Sequence, residues 1–210
     1  MTTFYMVRHG DTAWNRGEWR YRGQADLPLD GVGLAQAAAT ADALADAGLS
    51  AVFASPLKRA YNTAELIAQK AGLTARPMPG LLDIGYGAWQ GLTQSEAQAA
   101  YPALYARWTV APHLVRFPDG ESLDDVRSRI TRALMDMAEL FPDGRVGLVG
   151  HQVVNKVLLC VVLGLGNDAF WRITQDTCCI NIFRYDAVAY RFSVDRVNDT
   201  HHLRQIFANG

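Results

Sequence analysis

Three short apolar runs in this chain each lead into basic or imidazole side chains, and stretches of helical period separate them. Thr3 to Val7 ends in Arg8-His9-Gly10, Ala51 to Ala54 leads through Ser55-Pro56 to Lys58-Arg59, and Val146 to Val149 leads to Gly150-His151. Apolar runs this short, bounded by turn chemistry, read as buried strands. Between them, Leu34, Ala37, Ala38, Ala41, Leu44 and Ala45 recur at helical spacing, with Gly48 as the stop. Leu57, Ala60, Tyr61, Ala64 and Ile67 predict a second helix reaching Gly72, with Ser55 as N-cap and Pro56 in the first turn. Ser122-Leu123-Asp124-Asp125 resembles a capping pattern and opens a helix through Val126, Ile130, Leu134, Met137 and Phe141. A helix from Val153 to Leu163 and strand-like runs at Ile180–Tyr185 and Ala189–Val194 complete the series. Strands alternating with helices predict an α/β fold with a largely parallel sheet, in which ligands bind beyond the C-terminal ends of the strands.

Two stretches lack a period. Residues 11–33, rich in Gly, Arg, Asp and Trp, read as a loop. Residues 75–121 hold five of the eight prolines and predict a lid-like subregion within a single domain spanning 1–210. A chain of 210 residues buries about 70% of its unfolded surface, so it needs neither disulfides nor a structural metal to fold. Its three cysteines are odd in number, with Cys178 and Cys179 adjacent, which is no disulfide framework and favours the cytoplasm. Met1-Thr2-Thr3-Phe4-Tyr5 lacks the charged start of a secretory signal, and no run of 18 apolar residues predicts a membrane span. The net charge of −1 lacks the basic footprint of a nucleic-acid binder. The expected partner is a small molecule; composition leaves a homodimer open.

In a parallel sheet the three strand ends meet on one edge. That gathers Arg8, Lys58, Arg59, His9 and His151 around one point, a local anion site on a nearly neutral chain. Phosphoryl is the anion that best rewards planar, bidentate guanidinium donors, and a helix N-terminus beside it adds its dipole. His9 and His151 are also candidate metal ligands. No H-x-x-x-H, H-E-x-x-H or C-x-x-C spacing occurs, however, and arginines disfavour a neighbouring cation, so no metal is expected.

Four ordered segments resemble the signatures of the histidine phosphatase superfamily, the phosphoglycerate mutase-like family. They are Arg8-His9-Gly10-Asp11-Thr12-Ala13-Trp14-Asn15, Ala54–Ala64, Leu82–Gly91 and Val149-Gly150-His151, and the resemblance runs from about Phe4 to His202. It implies a three-layer sandwich with a mostly parallel sheet between helices, and a phosphatase that uses neither metal nor cofactor. By the same resemblance His9 would be the nucleophile that forms a phosphohistidine. Arg8, Arg59 and His151 would hold the phosphoryl oxygens. Asp83 would be the general acid and then the base. Asn15, Arg22, Gly23, Gln152, Tyr86 and His113 would bind substrate.

The chain departs from the family pattern at four positions. Asp83 stands in place of the usual Glu and is one methylene shorter. Gln90 occupies a site where many members carry Glu, Arg22 one where many have Gln, and Gln152 follows the last histidine in place of a small residue. The run Arg107-Trp108, Pro112-His113 and Phe117–Ser122 looks like metal-independent phosphoserine phosphatases and α-ribazole phosphatases. Candidate substrates are therefore phosphoserine, phosphoglycerate and α-ribazole phosphate. A cofactor-dependent phosphoglycerate mutase is the alternative, disfavoured by the short interval from Gly91 to Glu121. A catalytically weak phospholigand-binding member is a second alternative.

Other motifs carry less. Ser55-Pro56-Leu57-Lys58 matches S-x-x-K without its companion motifs, and Gly164-Leu165-Gly166 follows a helix instead of a strand. Cys178 and Cys179 read as packing, and His201-His202 as surface.

Overall fold

The computed structural model describes residues 1–16, 18–204 and 206, and among these a single six-stranded sheet runs through the molecule. β1 (Thr2–Arg8), β2 (Ala51–Ala54), β3 (Ala75–Pro77) and β4 (Arg145–Gly150) are parallel. β5 (Ile180–Asp186) pairs antiparallel with β1, and β6 (Arg191–Asp199) antiparallel with β5. The order across the sheet is β3-β2-β4-β1-β5-β6. The sheet is thus mixed, with its parallel part where the three apolar runs lie.

Successive side chains on a strand face opposite sides, and this divides the core in two. Phe4 and Met6 of β1, Ala51 and Phe53 of β2, and Val146 and Leu148 of β4 belong to one buried cluster. Val7, Val52, Ala54 and Val149 belong to the other. Against the second face pack α2 (Gly31–Ala43) and α3 (Lys58–Lys70), through Ala41, Ala60, Ala64 and Ile67. Against the first pack α6 (Leu123–Leu140) and α7 (Gln152–Val162), through Val126, Ile130, Leu134, Val154 and Val157. The result is helix, sheet, helix, the expected three layers. No helix among the described residues is long and apolar enough to cross a membrane.

Local chemistry sets the helix boundaries. The Ser122 hydroxyl accepts from the Asp125 N–H, and the Asp125 carboxylate accepts from the Ser122 N–H, so the predicted cap of α6 is a reciprocal box. α2 starts three residues before the periodic run, because Asp30 accepts from the Gly33 N–H at 2.8 Å. The Ser55 cap is a correction. Ser55 is fully buried and extends the sheet by donating its N–H to the Val149 carbonyl, and α3 begins only at Lys58. Asp26, from the preceding loop, accepts the Lys58 N–H at 2.7 Å instead.

The two aperiodic stretches contain more structure than their composition suggests. The first holds the one-turn α1 (Ala13–Arg16) and the start of α2. The second holds β3, α4 (Gln94–Ala100) with its own Thr93–Glu96 capping box, and α5 (Pro102–Val110). Its side chains Trp89, Trp108 and Phe117 are buried against Tyr21, Tyr86 and Phe170 in edge-on or tilted ring pairs. The last strand runs Arg191–Asp199, later than predicted, because Tyr190 adopts a left-handed turn conformation (φ 49°).

Candidate active site

Arg8 pairs with Gly150, and Ala54 with Val149, so β1, β2 and β4 end on the same edge of the sheet. His9 and His151 each lie one residue past a strand, and Arg59 lies in the first turn of α3. Gly10 is required by close approach: a Cβ there would stand 2.5 Å from the Gly33 carbonyl oxygen. The chain beyond His9 therefore turns directly against the start of α2.

The His9 imidazole is almost fully buried, and its Nδ1 lies 2.7 Å from the Gly10 carbonyl oxygen. A carbonyl can only accept, so Nδ1 carries the proton and Nε2 keeps its lone pair. Arg59 Nε donates to that Nε2 at 3.3 Å. Burial, then the charges of Arg59, His151, Arg22 and Arg8, hold the His9 imidazolium well below its ordinary pKa. His9 is thus a neutral imidazole of fixed tautomer.

Arg59 is fully buried and uses its whole fork. Its Nη1 donates to the Ala25 carbonyl (2.7 Å), and its Nη2 to the Gly23 carbonyl (2.7 Å) and to Asp83 Oδ2 (3.2 Å). Gly23, at φ 48°, brings that carbonyl in by a left-handed turn whose Cβ would approach the Ile84 oxygen to 2.9 Å. Arg8 donates through Nη1 to the Gln175 carbonyl at 2.6 Å, while its buried Nε has no hydrogen-bond partner among the described residues. Arg22 donates to Thr12 Oγ1 at 3.0 Å and to Asn15 Oδ1, and burial lowers its pKa to about 10, which leaves it charged at neutral pH.

Asp83 Oδ1 accepts the Ile84 N–H at 2.9 Å, and Oδ2 lies 3.8 Å from His151 Nδ1. Burial raises the Asp83 pKa against the opposing pull of Arg59. His151 is fully buried, its ring centre 5.2 Å from that of His9, and neither of its nitrogens has a hydrogen-bond partner among the described residues. Burial and the surrounding arginines hold it neutral. Unpaired buried polar atoms cost roughly 1–3 kcal/mol each, so those on Arg8 and His151 mark the place where an anion would supply acceptors.

The candidate side chains are therefore assembled, with one exception. His9, Arg8, Arg22, Gly23, Asp83, Tyr86 and Gln152 line one small cavity of about 20 Å³, with Arg59 and His151 directly behind His9 and Asp83. Asn15 reaches it through Arg22. His113 sits in a separate 3-10 turn (Pro112–Leu114) and does not line this cavity. A second cavity of about 230 Å³ shares the wall residues Trp19, Tyr86, Gln152 and Val153, and adds Tyr21, Tyr105, Trp108, Phe170 and Trp171. His202 lies elsewhere, 3.0 Å from Thr40 Oγ1 on α2. Among the described residues no group of three His, Cys, Asp or Glu side chains could hold a metal ion.

Sequence reasoning missed several supports. Arg129, inside α6, donates to the carbonyls of Gly80, Leu82 and Asp83 and pairs with Glu121, fixing the loop that carries Asp83. Gln175 and Asn181 exchange amide hydrogen bonds of 2.8 and 2.9 Å behind Arg8. No periodic signal distinguishes these residues.

Residues 4–200 match the sequence profile of the histidine phosphatase superfamily (branch 1). Phosphoserine phosphatase 1 of Hydrogenobacter thermophilus is 30% identical over 99% of this chain and 97% of its own length. A probable phosphoglycerate mutase of Yersinia pestis is 29% identical over 97% of this chain and 95% of its own. The structure of a mycobacterial glucosyl-3-phosphoglycerate phosphatase in complex with VO3 superposes with a TM-score of 0.86 at 28% identity, covering 94% of this chain and 99% of that one.

Proposed function

The chain belongs to the histidine phosphatase superfamily, and from that premise we propose that it is a metal-independent phosphatase of small phosphomonoesters working through a phosphohistidine on His9. The observation that carries this reading is a neutral His9 whose Nε2 is free of its own proton, accepts from Arg59, and shares a cavity with Arg8 and Arg22. Nε2 attacks phosphorus, forming a P–N bond as the ester P–O bond breaks. The long Arg59 contact to Nε2 gives way to the phosphoryl group, whose oxygens take donors from Arg8, Arg59 and His151. Fixed donors of this kind are the protein's main contribution to phosphoryl transfer, where charge redistributes over the oxygens.

Asp83, its pKa raised by burial, delivers its proton to the departing alkoxide. As a carboxylate it then takes a proton from water, which attacks phosphorus, breaks the P–N bond and returns His9 to its starting form. Ester and water become alcohol and inorganic phosphate. A shorter acid than the family's usual Glu serves because Arg129 fixes its loop and Arg59 orients its Oδ2.

Phosphate release from phosphoserine, phosphoglycerates, α-ribazole phosphate and a generic aryl phosphate, with a chelator present, tests the reading. Brisk release supports a phosphatase, and none would leave the phospholigand-binding alternative. The mutase alternative, favoured by the name of the Yersinia relative, predicts 2-phosphoglycerate from 3-phosphoglycerate when catalytic 2,3-bisphosphoglycerate is added. Release of phosphate without that product excludes it.

A further inference from the structure

At about 20 Å³ the catalytic cavity has no room for a leaving group beside the phosphoryl group, so the rest of a substrate must enter the adjoining cavity of about 230 Å³. Trp19, Tyr86, Gln152 and Val153 line both spaces, which makes the second the continuation of the first. Seven of the eleven residues lining the second are aromatic, and the others are Gln94, Thr109, Gln152 and Val153. Among the described residues no Lys, Arg, His, Asp or Glu belongs to that wall. Burial raises the phenol pKa of Tyr21 and Tyr86, so both stay neutral hydroxyls. Lys156 packs on the rings of Phe170 and Trp171 without lining the cavity. Arg20 borders only the catalytic cavity and is engaged by Glu18 and Glu96. A charge on the leaving group would lose its water here and gain no partner.

The rings are fixed before any ligand arrives. Trp171 meets Phe170 and Trp108 edge-on, with ring centres 4.8 and 5.4 Å apart, and its Nε1 donates to the Trp108 carbonyl at 2.9 Å. That bond ties the 3-10 turn Asn167–Arg172 to α5. Trp19 meets Tyr21 edge-on at 4.7 Å, and Tyr21 meets Tyr86 at 5.1 Å. Trp108 and Phe170 are almost fully buried, whereas Trp19 and Trp171 are 37% and 47% exposed, so the cavity is aromatic from floor to rim. A flat ring entering it meets faces and edges already set for offset or edge-on contact, the geometry aromatic pairs prefer. The amides of Gln94 and Gln152 offer hydrogen bonds to an uncharged ring substituent.

Resting on the phosphatase reading above, we infer that this cavity selects phosphomonoesters whose leaving group is an uncharged aromatic alcohol, a phenol or an arylmethanol, and turns away those of hydroxy and amino acids. The phosphoryl group sits with His9 and the arginines, and the ring of the leaving group sits among the aromatic side chains. Phosphoserine and phosphoglycerate, whose leaving groups carry charge, are then poor ligands. Tyr105 and Trp171, neither of them fully buried, are the specificity residues most open to substitution.

Calorimetry on the unaltered protein with non-hydrolysable phosphonates tests this without turnover. The probes are 2-phenylethylphosphonate, 2-cyclohexylethylphosphonate and 2-amino-4-phosphonobutanoate. They carry a methylene in place of the ester oxygen of benzyl phosphate, cyclohexylmethyl phosphate and phosphoserine. The phenyl probe should bind about tenfold or more tightly than the amino-acid probe, and about threefold or more tightly than the cyclohexyl one. Tyr105→Ala and Trp171→Ala should each weaken the phenyl probe about fivefold and narrow its lead over the cyclohexyl probe, and Trp171→Phe should keep most of it. No binding of the phenyl probe, an equal or tighter amino-acid or cyclohexyl probe, or a lead that survives both alanine variants would each overturn the assignment. Circular dichroism of each variant separates loss of fold from loss of the contact. Failure of the phosphatase reading would appear independently, as absence of phosphate release from benzyl phosphate by a protein that still binds the phenyl probe.

Discussion

His9 and Asp83 are two groups that burial pushes toward their neutral forms, one as a base and the other as an acid. The pH profile follows. In the proposed mechanism the nucleophile must lack a proton on Nε2, and the lowered pKa of His9 keeps it so well below pH 6.5. The proposed acid must carry its proton, so kcat/KM for alkyl phosphates should fall as pH rises through the elevated pKa of Asp83. Asp83→Asn should abolish that alkaline limb. It should also slow alkyl phosphates far more than activated aryl phosphates, whose leaving groups need little protonation. Equal losses on both substrates would remove Asp83 from the acid's role. Arg59→Lys keeps a charge but cannot reproduce donation to His9, Ala25, Gly23 and Asp83 from one rigid fork. Steady-state kinetics should show kcat reduced about 100-fold or more.

At the scale of elements, the sheet edge that gathers the site is held by features of unequal visibility. The three strand ends could be read from apolar runs stopping at polar residues, because a buried parallel strand needs nothing else. His9, Arg59 and His151 were legible with them. The buried amide pair of Gln175 and Asn181 was not, since two amides close in space but unremarkable in sequence carry no period. Arg129 was hidden for the same reason: on an amphipathic helix a half-buried arginine looks like any solvated one. The Ser55 expectation went wrong because a Ser-Pro before a helical run resembles a cap, whereas Ser55 continues the sheet and Asp26 supplies the acceptor. Two substitutions separate these supports. Ser122→Ala removes the α6 capping box and should cost about 1 kcal/mol in denaturant unfolding while leaving kcat unchanged. Asn181→Leu strands the Gln175 amide and loosens the carbonyl that holds Arg8, so it should cost roughly 1–3 kcal/mol and also lower kcat.

Over the whole molecule, a net charge of −1 coexists with three buried arginines at one point. The neutral total disfavours an extended polyanion but leaves room for one phosphoryl group. The same burial sets how stability responds to pH. His9 and His151 are neutral when folded and regain an ordinary pKa near 6.5 when unfolded. Below about pH 6.5 the unfolded chain therefore binds more protons through them, and stability falls as pH drops through that value. Asp83, with a raised pKa, acts in the opposite sense, against His9, His151 and also His202, whose pKa burial likewise lowers. Thermal melts should give a lower Tm at pH 5.5 than at 7.5, with a smaller difference in His9→Asn. The central claim is that phosphorus passes through Nε2 of His9. Rapid acid-free quenching during turnover of a labelled phosphomonoester, followed by peptide mass spectrometry, should find an acid-labile, alkali-stable phosphoryl group on His9 in the unaltered protein and none in His9→Ala. Full turnover with no phosphorylated His9, or wild-type activity in His9→Ala, would contradict the account.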